Sequence, residues 1–114
     1  MAKVISKERM REHIGEKVWA EWCGGAVEEE SGRLGETHFL FEITITGILP
    51  NDKVSISEEG FRFMDKFGKT GDMPWGFYGK NIVCFNEKPE KPYFDSWMPM
   101  EEGLNPTVYR VRQV

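Results

Sequence analysis

The sequence predicts an α+β domain, built from a strongly bent antiparallel β-sheet or a small open barrel with one N-terminal helix. Three observations support this prediction: helical spacing near the N-terminus, an alternating apolar pattern in the middle, and a second alternating segment at the C-terminal end. At 114 residues the chain fits one domain, residues 1–114. No internal repeat or change of composition marks a second domain.

The N-terminal segment allows two interpretations. Apolar side chains recur at helical spacing over residues 10–18, after the potential N-cap Ser6, which would give one helix up to Trp22. Alternatively, Gly15 ends a short helix and KVWAEW (17–22) forms a strand. Val and Trp favour pleated surfaces, and a glycine inside a helix costs about 1 kcal/mol relative to alanine. We favour the short helix followed by a strand.

The clearest strand is THFLFEITITG (37–47), which has the two-residue period of a half-buried strand. The residues expected to face the core are Phe39, Phe41, Ile43 and Ile45. The residues expected to face away from it are His38, Leu40, Glu42, Thr44 and Thr46. The turn sequence LPND (49–52) then leads into a second alternating run, KVSIS (53–57), and together these segments predict a hairpin.

The second half of the chain is punctuated by glycine and proline. The run FRFMDKF (61–67) fits either a strand with its phenylalanines inward or one helical turn. Residues 68–81 and 86–106 are rich in glycine or proline and predict long connections, with the short apolar strand NIVCF (81–85) between them. The C-terminal TVYRVRQV (107–114) alternates again and predicts a closing strand.

Composition restricts the class of protein. The net charge of -4 and the pI near 5.2 argue against direct binding to duplex nucleic acid, which requires clustered lysine and arginine. The N-terminal residues contain no apolar run of the kind that signal peptides need, and no stretch reaches the roughly 18 apolar residues of a membrane span. Two cysteines are too few for a disulfide framework. We therefore expect a cytoplasmic protein without a membrane partner.

A metal site would have to draw on four residues: His13, Cys23, His38 and Cys84. Structural zinc sites usually take paired ligands from short loops, and every spacing among these four is long and irregular. We therefore predict no metal and no cofactor. Cys84 is interpreted as a small core residue and His38 as an exposed residue of its strand.

No catalytic signature stands out. The chain has no G-x-S-x-G sequence. The carboxylate pairs Glu58-Glu59 and Glu101-Glu102 lie in polar segments, where solvation argues against a role in general acid catalysis. The segment GKTG (68–71) contains Gly-Lys-Thr but lacks the earlier glycine of a phosphate-binding loop. We therefore nominate no catalytic residues and expect a protein that is not an enzyme.

The aromatic residues of the two long connections are the main binding candidates. The rings that they contribute are Trp75, Phe77, Tyr78, Tyr93, Phe94 and Trp97. The commonest role of such rings is to cover an open end of the core, and the alternative is a face that binds a partner. Trp75 is the stronger binding candidate, because the glycines and proline around it leave its loop few other anchors.

The acidic run Glu28, Glu29 and Glu30 is expected at a solvated hairpin tip, where it could also form a negative rim around an apolar centre. By analogy of size and charge, our first hypothesis is a small non-catalytic protein of the inhibitor, immunity or phage accessory type. Such a protein would occlude a partner protein that is basic or handles nucleic acid. The alternative is a binder of a small ligand or single-stranded nucleic acid through the loop rings, and the third hypothesis is a small enzyme of unknown reaction.

Overall fold

The computed structural model describes residues 1–28, 34–49, 59–75, 78–96, 99–102 and 111–113. One β-sheet and one short 3₁₀ helix (Lys7–His13) make up most of this part of the chain. The strands are β1 (Val4–Ile5), β2 (Lys17–Glu28), β3 (Leu34–Leu49), β4 (Gly60–Asp65), β5 (Thr70–Pro74), β6 (Ile82–Phe85), β7 (Glu101–Glu102) and β8 (Val111–Gln113). The prediction of an antiparallel sheet with one short N-terminal helix is confirmed.

The sheet runs in the order β1-β6-β2-β3-β4-β5, with β7 beside β3 and β8 beside β2. Every pair is antiparallel except β3 with β7. Within the described ranges the edge strands β1 and β5 do not pair with each other, so the sheet is not closed into a barrel. Pro74 at the end of β5 has no N–H to donate to a further strand, which favours an edge at this place.

The N-terminal segment follows the second interpretation, a short helix and then a strand. Gly15 has a φ of +89°, a conformation that side chains disfavour, and its N–H donates to the Ile45 carbonyl at 2.7 Å. The chain then enters β2, so the single helix up to Trp22 is wrong. The helix is of the 3₁₀ type, and the side chain of Ser6 makes no capping hydrogen bond.

The main core lies on one face of the β2–β3 hairpin. Cross-strand pairs such as Val18 with Ile43 and Trp22 with Phe39 bring the alternating apolar positions together. Phe41, Ile43 and Ile45 are buried as predicted, and Phe39 is partly buried against them. The 3₁₀ helix contributes Met10, which is fully buried in the same cluster.

The opposite face of the sheet is also partly covered, which corrects one prediction. Thr46 is exposed as expected, but His38 and Leu40 are each only 2% exposed. Val83 and Phe85 of β6 are buried as well, at positions that alternate with those in the main core. The chain after β6 packs over this face. The alternating pattern of β3 predicts one buried face, and it does not indicate that a distant segment covers the other face as well.

The segment 61–67 begins in a strand, which decides between the two alternatives left open. Phe61 and Phe63 of β4 point into the core, and Asp65 accepts hydrogen bonds from the N–H groups of Phe67 and Lys69 at 2.9 and 2.8 Å. The expectation of a connection throughout 68–81 is wrong, because β5 pairs with β4 there. The residues of β5 are exposed or half-buried and show no apolar alternation.

The remaining predictions are confirmed in part. NIVCF contains β6, whose four residues are all buried, and Cys84 is a core residue as expected. β8 pairs with β2 inside the predicted closing strand 107–114, while β7 interrupts the predicted connection 86–106. The predicted strand KVSIS (53–57) lies outside the described residues. No helix in the described part of the chain has the length and apolar character needed to cross a membrane.

Candidate functional site

The predicted binding rings do not form one continuous surface. Trp75 and Tyr78 pack against the main core cluster, whereas Tyr93 contacts Phe85, which lies on the opposite face of the sheet. Phe77 and Trp97 lie outside the described residues, as do Glu29 and Glu30 and the side chain of Glu28. The rings therefore belong to at least two separate environments.

Tyr78 closes the core next to β1 and β6. Its hydroxyl donates to the Ile5 carbonyl and accepts the Cys84 N–H at 3.2 Å, so it joins two paired strands. Met10 Sδ lies 4.0 Å from the same hydroxyl. Burial raises the pKa of Tyr78 above its usual range, so the hydroxyl keeps its proton and continues to donate. Burial likewise raises the pKa of the Cys84 thiol to about 12, which leaves it unreactive.

We expect Tyr78→Phe to lower the free energy of unfolding by about 1–3 kcal/mol, because the Ile5 carbonyl and the Cys84 N–H both lose a buried partner. Urea denaturation followed by circular dichroism measures the change. Tyr93→Phe is the matched control, since Tyr93 is 50% exposed and its substitution should cost no more than about 0.5 kcal/mol. Equal stability of the two variants would contradict a structural role for the Tyr78 hydroxyl.

Trp75 occupies a different position, half-buried at the wall of a groove. Its ring packs 5.4 Å from the Phe61 ring and edge-on to Tyr78 at 5.3 Å, and the backbone N–H of Trp75 donates to the Glu59 carbonyl at 2.7 Å. One side of the ring is therefore fixed on the core. The rest of it contributes to an open groove of 770 Å³.

The groove beside Trp75, called the Trp75 groove below, runs between the 3₁₀ helix and the end of β3. Its lining residues are Lys7, Glu8, Arg11, Ile14, Ile48, Leu49, Glu59 and Trp75. Ile14 is 48% exposed, while Ile48 and Leu49 are half-buried. Four apolar side chains thus line the groove together with two cations and two carboxylates, a mixture of apolar and charged groups that is typical of protein interfaces.

The other face of the sheet holds a buried carboxylate and a buried histidine. Glu21 is fully buried, and its Oε2 lies 2.8 Å from Nε2 of His38. A carboxylate only accepts, so the ring nitrogen donates in this bond. The same carboxylate accepts the backbone N–H groups of Tyr93 at 2.9 Å and Phe94 at 3.0 Å. Glu21 thereby fastens the chain after β6 to the sheet.

The Glu21–His38 pair was not predicted from the sequence. Glu21 faces Leu40 and His38 faces Cys23 in the β2–β3 register, so the two polar residues are diagonal neighbours on one face. The two residues come together only through the strand register. The one local signal is WAEW (19–22), in which Glu21 stands among apolar residues of a strand. The prediction of an exposed His38 is wrong because this pairing and the covering segment bury it.

An open cleft of 440 Å³ lies beside the pair. His38 reaches its wall together with Tyr93, Phe94 and Ser96. A histidine held by a carboxylate can serve as a general base when its ring reaches a substrate. The His38 side chain is only 1% exposed, so the pair is better suited to holding the covering segment than to proton transfer with a ligand.

The four residues considered as possible metal ligands have separate environments in the structure. His13 pairs with Glu16 at 3.2 Å, His38 is bound to Glu21, and Cys84 is enclosed in the core. Cys23 and Cys84 are both free thiols. Across the described ranges, no group of three or more His, Cys, Asp and Glu side chains could hold a metal ion.

Comparison with known proteins gives no relative: no family model, no curated protein and no solved structure matches this chain. Function must therefore be inferred from the geometry of the surfaces described above.

Proposed function

We propose that this protein is a small non-catalytic binding module that holds a protein partner in the Trp75 groove and occludes the partner's own working surface. The observation that supports the proposal is the half-exposed Ile14, which lines the same groove as Trp75 together with charged residues. Tryptophan set in an apolar pocket is the type of residue that contributes most to the affinity of protein interfaces.

The composition of the groove favours a protein segment over other ligands. Lys7 and Arg11 on the helix side are balanced by Glu8 and Glu59, so the rim does not have the basic excess that nucleic acid requires. A groove of 770 Å³ is large enough for several side chains of a partner. The described residues of its lining include no histidine, cysteine or serine, so none of them is an obvious nucleophile for an enzyme.

The ring next to the groove is also suited to hold a partner without a large entropic cost. Contacts with Phe61 and Tyr78 fix Trp75 before binding, so little side-chain freedom remains to be lost. The net charge of -4 favours a basic partner through faster association. We therefore retain a basic or nucleic-acid-handling protein as the proposed partner.

The test is capture of a partner from extract of the native cell on the immobilised protein, followed by mass spectrometry and measurement of affinity. Ile14→Glu places a charge among the apolar lining residues, and we expect it to weaken the complex about 30-fold, which is about 2 kcal/mol. Val4→Glu is the matched control, because Val4 is 44% exposed and does not line the groove. The control should bind like the parent protein, and both variants should remain folded.

Other outcomes separate the remaining hypotheses. A retained oligonucleotide or small molecule, with no stoichiometric protein, would favour the ligand-binding alternative. Turnover of a retained metabolite would favour an enzyme. Equal partner affinity in Ile14→Glu and Val4→Glu would contradict the Trp75 groove as the binding surface.

A further inference from the structure

The sheet contains a gap along one edge of β3. On this side β4 pairs with β3 from Ile43 onward, while the short strand β7 pairs only with Phe39 and Leu40. Phe41 and Glu42 lie between these two paired stretches, and on this side of β3 neither residue pairs with a strand in the described part of the chain. β2 pairs with both residues on the other side, so the gap is open on one edge alone.

A cleft of 340 Å³ occupies this gap, and it is called the gap cleft here. Its lining residues are Trp19, Phe41, Glu42, Asp65, Lys66, Phe67 and Glu102. Trp19 lies directly across the β2–β3 pair from Glu42, and Phe67 extends from the β4–β5 turn with 59% of its surface exposed. The hydrogen bonds from the turn to Asp65 hold Phe67 in place. The gap cleft therefore combines aromatic rings with carboxylates.

The described lining of the gap cleft is rich in carboxylates. It includes three carboxylates and one lysine. Both rings already have one of the protein's own ammonium groups over them: Lys66 Nζ lies 5.2 Å from the centre of the Phe67 ring, and Lys88 Nζ lies 5.5 Å from that of Trp19. Lys88 is also paired with Glu102 at the wall of the gap cleft. Each resident ammonium marks a position that a cation of a partner could take.

We propose that the gap cleft binds an arginine side chain presented by a partner polypeptide. A guanidinium is planar, stacks on aromatic rings, forms paired hydrogen bonds with a carboxylate and is less strongly hydrated than an ammonium. It can therefore displace the resident lysines, with the rings of Trp19 and Phe67 on its faces and Glu42 on its edge. Among the described residues, this site shares no lining residue with the Trp75 groove, so the inference goes beyond the proposed function and does not depend on it.

The test uses short Gly/Ser peptides that contain one arginine, one lysine or one citrulline, titrated into the protein and followed by nuclear magnetic resonance. The indole N–H signal of Trp19, assigned by its loss in Trp19→Phe, is the reporter. We expect the arginine peptide to shift this signal saturably, the lysine peptide to bind less tightly, and the uncharged citrulline peptide to leave it in place. Equal shifts with citrulline and arginine, or no shift with arginine, would overturn the proposal.

A charge-matched pair of variants distinguishes binding from a general electrostatic effect. Lys66→Ala uncovers the Phe67 ring, and we expect it to strengthen arginine-peptide binding about two- to fivefold, the range of an exposed cation–π contact. Lys80→Ala removes the same charge at an exposed position outside the gap cleft and should change binding less. Equal effects of the two variants would contradict direct competition at the ring. Free arginine amide binding as tightly as the peptide would point to a small-molecule ligand and overturn the polypeptide partner.

Discussion

Replacement of Glu21 by alanine is expected to lower the free energy of unfolding by about 3–5 kcal/mol, because each buried donor left without an acceptor costs about 1–3 kcal/mol. Three donors would lose their acceptor at once: the His38 ring and the backbone N–H groups of Tyr93 and Phe94. Denaturation in urea, with the slope checked against the parent protein, gives the value.

Two further variants make this result specific. Glu21→Gln keeps the shape of the side chain but replaces one acceptor oxygen by an NH2 group, which is itself a donor and cannot accept from these partners. We therefore expect an intermediate loss of stability. Glu101→Ala removes a carboxylate from an exposed position and should change stability by no more than about 0.5 kcal/mol. A Glu21→Ala protein within about 1 kcal/mol of the parent would contradict the role of Glu21 in fastening the covering segment.

Phe41→Ala is expected to cost about 3–5 kcal/mol, a large part of the stability of a domain this size. Phe41 is 5% exposed, and its ring lies 6.4 Å from that of Phe63, so truncation removes a buried aromatic contact from the main core. The melting temperature and urea midpoint should both fall. Phe67→Ala is the matched control: it removes an equal ring from a position 59% exposed and should be nearly neutral. An unchanged melting temperature of Phe41→Ala would refute the assignment of β3's core face.

The elements that the sequence predicted correctly are those whose signal is local. The inward set of β3 follows from its two-residue period, and the end of the helix follows from Gly15, whose positive φ matches the role predicted for a helix-ending glycine. β6 is short and wholly apolar, so its burial could also be predicted. In each case neighbouring residues alone determine the outcome.

The features that sequence reasoning missed depend on contacts between distant segments. β5 has no apolar alternation and exists because its backbone pairs with β4, helped by Gly60, where a Cβ would lie 2.0 Å from the Met73 carbonyl oxygen. The burial of His38 depends on Glu21, which is 17 residues away, and on a segment that follows β6. A single strand pattern contains no information on what covers its second face.

The candidate site was only partly predictable for the same reason. Trp75 was identified from its setting among glycines and a proline, but its companions in the groove come from the 3₁₀ helix and from the end of β3. Tyr78 and Tyr93 were grouped with Trp75 because they are close to it in sequence. In the fold, the Tyr78 hydroxyl donates to a backbone carbonyl in the core, whereas Tyr93 lies on the opposite face of the sheet. Closeness in sequence does not determine which face of a sheet a loop covers.

Amide hydrogen exchange of the free protein and of its complex with the captured partner tests the central claim most directly. The Trp75 groove, if it is the binding surface, should show slower exchange in the complex over Lys7–His13 and over Ile48 and Leu49, while Tyr93 and Phe94 should exchange as in the free protein. Slower exchange confined to residues 93–96, or unchanged exchange around the Trp75 groove in a saturated complex, would contradict the account.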